Sequence, residues 1–195
     1  FHRLDEARKL EEQPAPYLDS LRKTVAEQKV YLLLGCGEYV PETSKHHNSC
    51  LVFAPDGSLQ SRHLKIYGEK LGSEKWASPG DAVSTTKCDS VNVGVLVCAD
   101  SWFDERPLAL KEQGADLLID IAAWPETKET GNPLPSWKKV TKITGLPFIV
   151  CNQTGKTKWM DMTIGESVAI QDEVVKCSYS GAEAVLLLEF DTVKN

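Results

Sequence analysis

Apolar residues return along this chain in two rhythms. Tyr17, Leu18, Leu21 and Val25 recur at helical spacing, which predicts an amphipathic helix behind the loop marked by Pro14 and Pro16. From residue 30 the pattern turns to short apolar runs. Residues 30–34, closed by Gly35, predict a buried strand, and residues 50–54 predict a second. Asp56-Gly57 then predicts a tight turn into residues 58–65, so these two segments read as a hairpin. The stretch ahead of the hairpin, PETSKHHNS, reads as a polar loop, and residues 66–81 as a long loop with three glycines and a proline. Long loops in compact domains tend to be functional.

The middle of the chain alternates strand and helix. Val91 to Val97 is its most strand-like run and ends on Cys98. Pro107 opens a helix that Gly114 ends, and residues 115–121 predict a strand with Ala122–Pro125 as the loop at its carboxyl end. Residues 137–144 read as a helix stopped by Gly145 and Pro147, and 148–151 as a strand. Shorter β segments follow at 164–170, 174–177 and 184–190. Strand–helix alternation flanked by hairpins predicts a mixed α/β sheet in a single domain spanning residues 1–195, with helices covering the strand–helix–strand part.

Composition narrows the function. The 195 residues carry a net charge of −6 with basic and acidic residues interspersed, which argues against nucleic acid or anionic membrane as the partner. No run approaches the roughly 18 apolar residues of a membrane span. The six cysteines sit mostly inside apolar runs without CxxC spacing, so they predict free thiols in a reducing, cytoplasmic setting. His46, His47 and Cys50 do not amount to a four-ligand zinc site, and no metal or cofactor is expected. Thr154-Gly155-Lys156-Thr157 ends like a phosphate loop, but the earlier glycine that loop requires is replaced by Val150. The sequon at Asn152 lies in a buried-strand context and is read as silent.

Chemistry converges on two strand ends. An apolar strand that delivers a thiol to its carboxyl edge, with Asp100, Asp104 and Glu105 just beyond, is one way an α/β protein presents a nucleophile. A buried structural cysteine is the alternative. Lys65 ends another predicted strand. If both strands share a sheet, its ammonium stands over the thiol and favours thiolate. His63, two residues earlier on the same face, is a second base candidate without an evident orienting partner.

Several segments together resemble the nitrilase superfamily of carbon–nitrogen hydrolases. The lysine motif matches His63-Leu64-Lys65-Ile66-Tyr67, followed by Glu74-Lys75-Trp76 and Pro79-Gly80. The nucleophile motif matches Cys98-Ala99-Asp100-Ser101-Trp102-Phe103-Asp104-Glu105. Gly114 to Ile119, Ala122-Ala123-Trp124-Pro125, Asn152 to Gly155 and Gly165-Glu166-Ser167 follow in the family's order. The resemblance implies an α-β-β-α sandwich, often paired into homodimers or higher homo-oligomers. It also implies cysteine attack on a non-peptide C–N bond of an amide, nitrile or carbamoyl substrate through a thioester. It makes Cys98 the nucleophile and gives Lys65 and the backbone N–H of Ala99 the oxyanion. Glu74, ahead of Glu69, becomes the assisting glutamate, and Ala123 and Trp124 line the pocket.

One element of the family pattern has no match. Its general-base glutamate follows an early strand, whereas Glu6, Glu11 and Glu12 lie in a charged segment and Glu38 corresponds to another position. The family's first strand–helix–strand unit is therefore expected to be missing from these residues, with the base upstream of Phe1, consistent with a start that is not Met. A catalytically inactive nitrilase-like binding or assembly module is the competing expectation.

Overall fold

A computed structural model describes residues 16–68, 74–126, 131–156 and 161–190. Helix α1 (Pro16–Gln28) leads into a three-stranded antiparallel sheet of β1 (Leu32–Val40), β2 (Lys45–Phe53) and β3 (Leu59–Leu64). A six-stranded mixed sheet follows: β4 (Thr85–Cys88), β5 (Val91–Val97), β6 (Leu117–Ala122), β7 (Phe148–Asn152), β8 (Ser167–Gln171) and β9 (Val174–Tyr179), ordered as numbered. Its centre, β5-β6-β7, is parallel and its flanks are antiparallel. Helices α2 (Glu105–Glu112) and α3 (Leu134–Thr144) supply the parallel crossovers.

The period-2 alternation of β5 decides how the layers stack. Val93, Val95 and Val97 face the small sheet, where they pack with the buried Cys50 of β2 and with Ile119 and Ile121 of β6. Leu96, on the other face, joins Leu110, Leu118, Trp137, Val140 and Phe148 beneath α2 and α3. On the far side of the small sheet, Val25 of α1 packs on Leu51 and Phe53. The result is the expected α-β-β-α sandwich. Each fully buried side chain of Leu or Phe size contributes about 1.5–3 kcal/mol to it.

The structure revises several element boundaries. β1 does not stop at Gly35 but runs to Val40, and the expected polar loop holds β2 from Lys45 onward. Only the turn at residues 41–44 is non-strand, with Ser44 at φ 52. Polar residues enter β2 because one face of the strand is covered: Ser49 is fully buried, and His47 Nδ1 donates to the Ser78 carbonyl at 2.8 Å. β4 had no apolar signature; it forms by folding back on β5 through a tight turn with Asp89 at φ 50. α2 begins two residues before Pro107, a position within the first turn where proline is tolerated. The expected last strand at 184–190 is not formed. Ala184, Leu186 and Leu188 line a cavity of about 210 Å³ under β7–β9, and Val185 and Leu187 stay 87% and 92% exposed.

Among the described residues no helix is long and apolar enough to cross a membrane.

The two sheets come into close contact at Gly35. A Cβ there would lie 2.3 Å from Ile121 Cγ2, so only glycine lets β1 pass over β6. Gly35→Ala is expected to destabilise the fold by about 1–3 kcal/mol. In urea denaturation, a cycle with Ile121→Ala should show a coupling of about 0.5 kcal/mol or more, since the second change removes the clashing methyl.

Candidate active site

Cys98 is where β5 stops being a strand. Val97 is extended, Cys98 turns to φ 55, and a 3-10 helix runs from Cys98 to Trp102. The left-handed region costs an ordinary residue roughly 1–2 kcal/mol, so the surroundings must hold it there. They do so at both polar groups of the residue. The Cys98 N–H donates to Asp120 Oδ1 at 2.5 Å, and the Ser101 hydroxyl donates to the Cys98 carbonyl at 3.0 Å. The half-buried Cys98 opens into a cleft of about 460 Å³ between the two sheets, lined also by Gly35, Asn48, Glu74 and Ala123.

Lys65 is the first residue beyond β3 and only 5% exposed. Its backbone is clamped: its N–H donates to the Asn48 carbonyl at 2.8 Å, and its carbonyl accepts from Gly80 N–H at 2.8 Å. Gly80 has to be glycine, because a Cβ would lie 2.8 Å from the Leu64 carbonyl oxygen. This explains the Pro79-Gly80 pair physically. The Lys65 ammonium pairs with Glu74 Oε2, and Glu74 Oε1 accepts from Asn48 Nδ2 at 2.9 Å. Burial alone would push Lys65 down, but the neighbouring Cys98 and Glu74 outweigh it and raise its pKa. Lys65 is therefore a fixed cation beside the thiol. Burial pushes Cys98 itself up to about 11, against the pull of Lys65 and of a hydrogen bond from the Ala123 backbone.

A second clamp joins the lysine loop to the nucleophile turn. Buried Asp100 accepts from Ile66 N–H and Tyr67 N–H, the latter at 2.8 Å, and pairs with Arg106 at 2.7 Å. Ala99 is buried on the same 3-10 turn, one residue after Cys98. Asn152, at the end of β7, fixes the loop after β6. Its Oδ1 accepts from Trp124 N–H at 2.8 Å and its Nδ2 donates to the Trp124 carbonyl at 2.9 Å.

Of the six residues singled out from the sequence, Cys98, Glu74 and Ala123 line the cleft, Lys65 reaches it through Glu74, and Ala99 flanks the thiol. The Trp124 side chain lies deeper: it is buried in the helix-side core, with Trp102 edge-on at 4.3 Å and Trp137 at 5.9 Å. His63 does not face the thiol as a base. Thr86 Oγ1 at 2.8 Å, Ser61 Oγ at 3.1 Å and Ser84 Oγ at 3.2 Å occupy its ring nitrogens, and burial pushes it down to about 4. Glu38 is engaged by Arg62 at 2.7 Å and by Ser49. Glu69, Glu6, Glu11, Glu12 and His2 lie outside the described residues. Asn48, Asp120 and the clamping role of Asn152 were not legible from spacing, although a lone aspartate inside LLIDIA was a visible irregularity.

This geometry meets an independent family match. The carbon-nitrogen hydrolase family model covers residues 1–180. The chain belongs to the carbon-nitrogen hydrolase family. It is 34% identical to omega-amidase NIT2 of Mus musculus and 32% to that of Homo sapiens, over 56% of this chain and 42% of each relative. The chain thus spans less than half the length of the curated relatives it matches. Among solved structures, Nit3 of Saccharomyces cerevisiae superposes with a TM-score of 0.82 at 20% identity, over 93% of this chain and 69% of Nit3. A carbon-nitrogen hydrolase from Helicobacter pylori superposes with a TM-score of 0.75 at 21% identity, over 90% and 67%. At these identities the superpositions speak for the nitrilase-type fold.

Because Lys65 holds the Cys98 pKa down, removing the cation raises it. Lys65→Met is expected to slow alkylation of Cys98 near neutral pH by about tenfold or more, read peptide by peptide by mass spectrometry. Gly80→Ala should act in the same direction by displacing the lysine backbone.

Proposed function

We propose that this chain carries the nucleophile half of a cysteine hydrolase acting on a non-peptide C–N bond, with an amide as substrate. The observation that carries this reading is the left-handed Cys98 turn opening into a cleft beside a buried Lys65–Glu74 pair. The relatives support it: the curated ones are omega-amidases, and a structurally similar amidase from Nesterenkonia was solved with acrylamide added at its active-site cysteine.

The thiolate of Cys98 attacks the amide carbonyl carbon, forming a C–S bond and a tetrahedral oxyanion. The Lys65 ammonium and the Ala99 N–H stabilise that charge in a dry site, where each such interaction is worth far more than in water. Collapse breaks the C–N bond, ammonia or an amine leaves with a proton, and a thioester remains. Water then cleaves the thioester to the acid and restores the thiol. Glu74 keeps Lys65 oriented and charged. With Cys98 pushed up to about 11, a proton acceptor is needed. Glu74 is the carboxylate that lines the cleft among the described residues, and Lys65 occupies it. The reading therefore assigns the proton to a further glutamate outside the described residues. Six free thiols support a reducing cytoplasmic setting, and the family resemblance supports a homo-oligomer.

On a panel of small amides and nitriles, Cys98→Ala should abolish turnover while retaining the fold by circular dichroism, and Lys65→Ala should lower it by about 10²-fold or more. Mass spectrometry of the wild type should trap an acyl adduct on Cys98. Wild-type-like turnover in Cys98→Ala would refute the mechanism. A folded protein with no adduct on any substrate would favour the inactive-module alternative.

A further inference from the structure

Asp120 breaks the apolar pattern of β6. It sits between Ile119 and Ile121 and is fully buried (0% exposed). A carboxyl in a core strand is costly unless it is bonded or paired. Parallel pairing sets it opposite Leu96, two residues before the nucleophile. Its Oδ1 accepts the Cys98 N–H at 2.5 Å at the point where the backbone turns left-handed. The Ser101 hydroxyl, which donates to the Cys98 carbonyl, is the other polar side chain beside this carboxyl.

We propose that Asp120 is a positioning residue for Cys98: its carboxyl holds the nucleophile's backbone in the left-handed turn, and its charge sets how readily the thiol ionises. This rests on reading Cys98 as the nucleophile. The charges that act on Asp120 are those of Asp100 on the 3-10 turn and Lys65 beyond β3, and Asp120 in turn acts on Cys98 and, through the sheet, on Cys50 of β2. Burial pushes Asp120 up to about 7, with Asp100 adding to the rise and Ser101, the Cys98 N–H and Lys65 opposing it. An ionised Asp120 in turn raises the Cys98 thiol. Carboxylate and thiolate thus compete for the same nearby ammonium, and the two titrate as a coupled pair. As pH rises through neutrality, Asp120 takes its charge first and resists the second.

Asp120→Asn and Asp120→Ala in the full chain separate the two roles. Asn keeps the Oδ1 acceptor and removes the charge. The pH midpoint of Cys98 alkylation by iodoacetamide should fall by about one unit, which is about tenfold faster alkylation near neutral pH. Ala also removes the acceptor, so its kcat should fall by about tenfold or more with KM close to wild type. A residue with only a packing role would lower the thermal midpoint in both variants and leave the alkylation profile in place. That result, or an upward shift in Asp120→Asn, overturns the proposal. If Asp120→Asn does not fold, the alkylation profile of Asp120→Ala reads the same charge effect. Infrared titration of the wild type is a third readout, in which a buried carboxyl should lose its proton near neutral pH. Loss of that proton only in the ordinary aspartate range would also overturn it. Alkylation needs no turnover: a shifted profile without amide hydrolysis removes the proposed reaction alone, and turnover with an unshifted profile removes the role of Asp120 alone.

Discussion

A thiol, an ammonium and a carboxylate meet where the two sheets of this protein close on each other, with a second, fully buried carboxyl bonded to the thiol residue's backbone. A charge taken from water into such a seam costs several kcal/mol unless it is paired and hydrogen-bonded. The Lys65–Glu74 pair meets that demand, with Asn48 filling the second oxygen of the carboxylate and clamping the lysine backbone as well. Cys98 and Asp120 do not fully meet it, and both are pushed toward their neutral forms.

The surrounding architecture serves to hold these groups still. Cys98 directly follows a central strand whose inner face is locked by valines against the small sheet, so packing sets where the turn begins. Lys65 comes from the other sheet, and Gly35 and Gly80 are glycines where the Ile121 side chain and the Leu64 carbonyl, respectively, lie too close for a Cβ. Asp100 and Asn152 then fasten the two loops that flank Cys98. Each fastening is a side chain standing in for a strand partner where the ladder ends.

Much of this was legible in the residues. The apolar alternation around Val95, the turn at Asp56-Gly57 and the helix ahead of Gly145 all lie close to where their patterns place them. The Cys98 and Lys65 segments were recognisable through their resemblance, taken together and in order, to the nitrilase motifs. What escaped reading were elements stabilised by distant partners. β4 and the polar half of β2 are strands because a neighbour covers and pairs them, not because their own residues alternate. Residues 184–190 show the reverse: strong β composition that forms no strand.

By itself the sequence determined the kinds of groups available and the strand ends that present them, because period and turn chemistry are local properties. Tertiary structure alone decided which of those groups meet. It turned His63 toward three hydroxyls, Trp124 into the core and Glu38 onto Arg62, and it brought Lys65, Glu74 and Asp120 around Cys98. Those encounters depend on how two sheets register across a seam, and that register is set by packing between residues far apart in the chain.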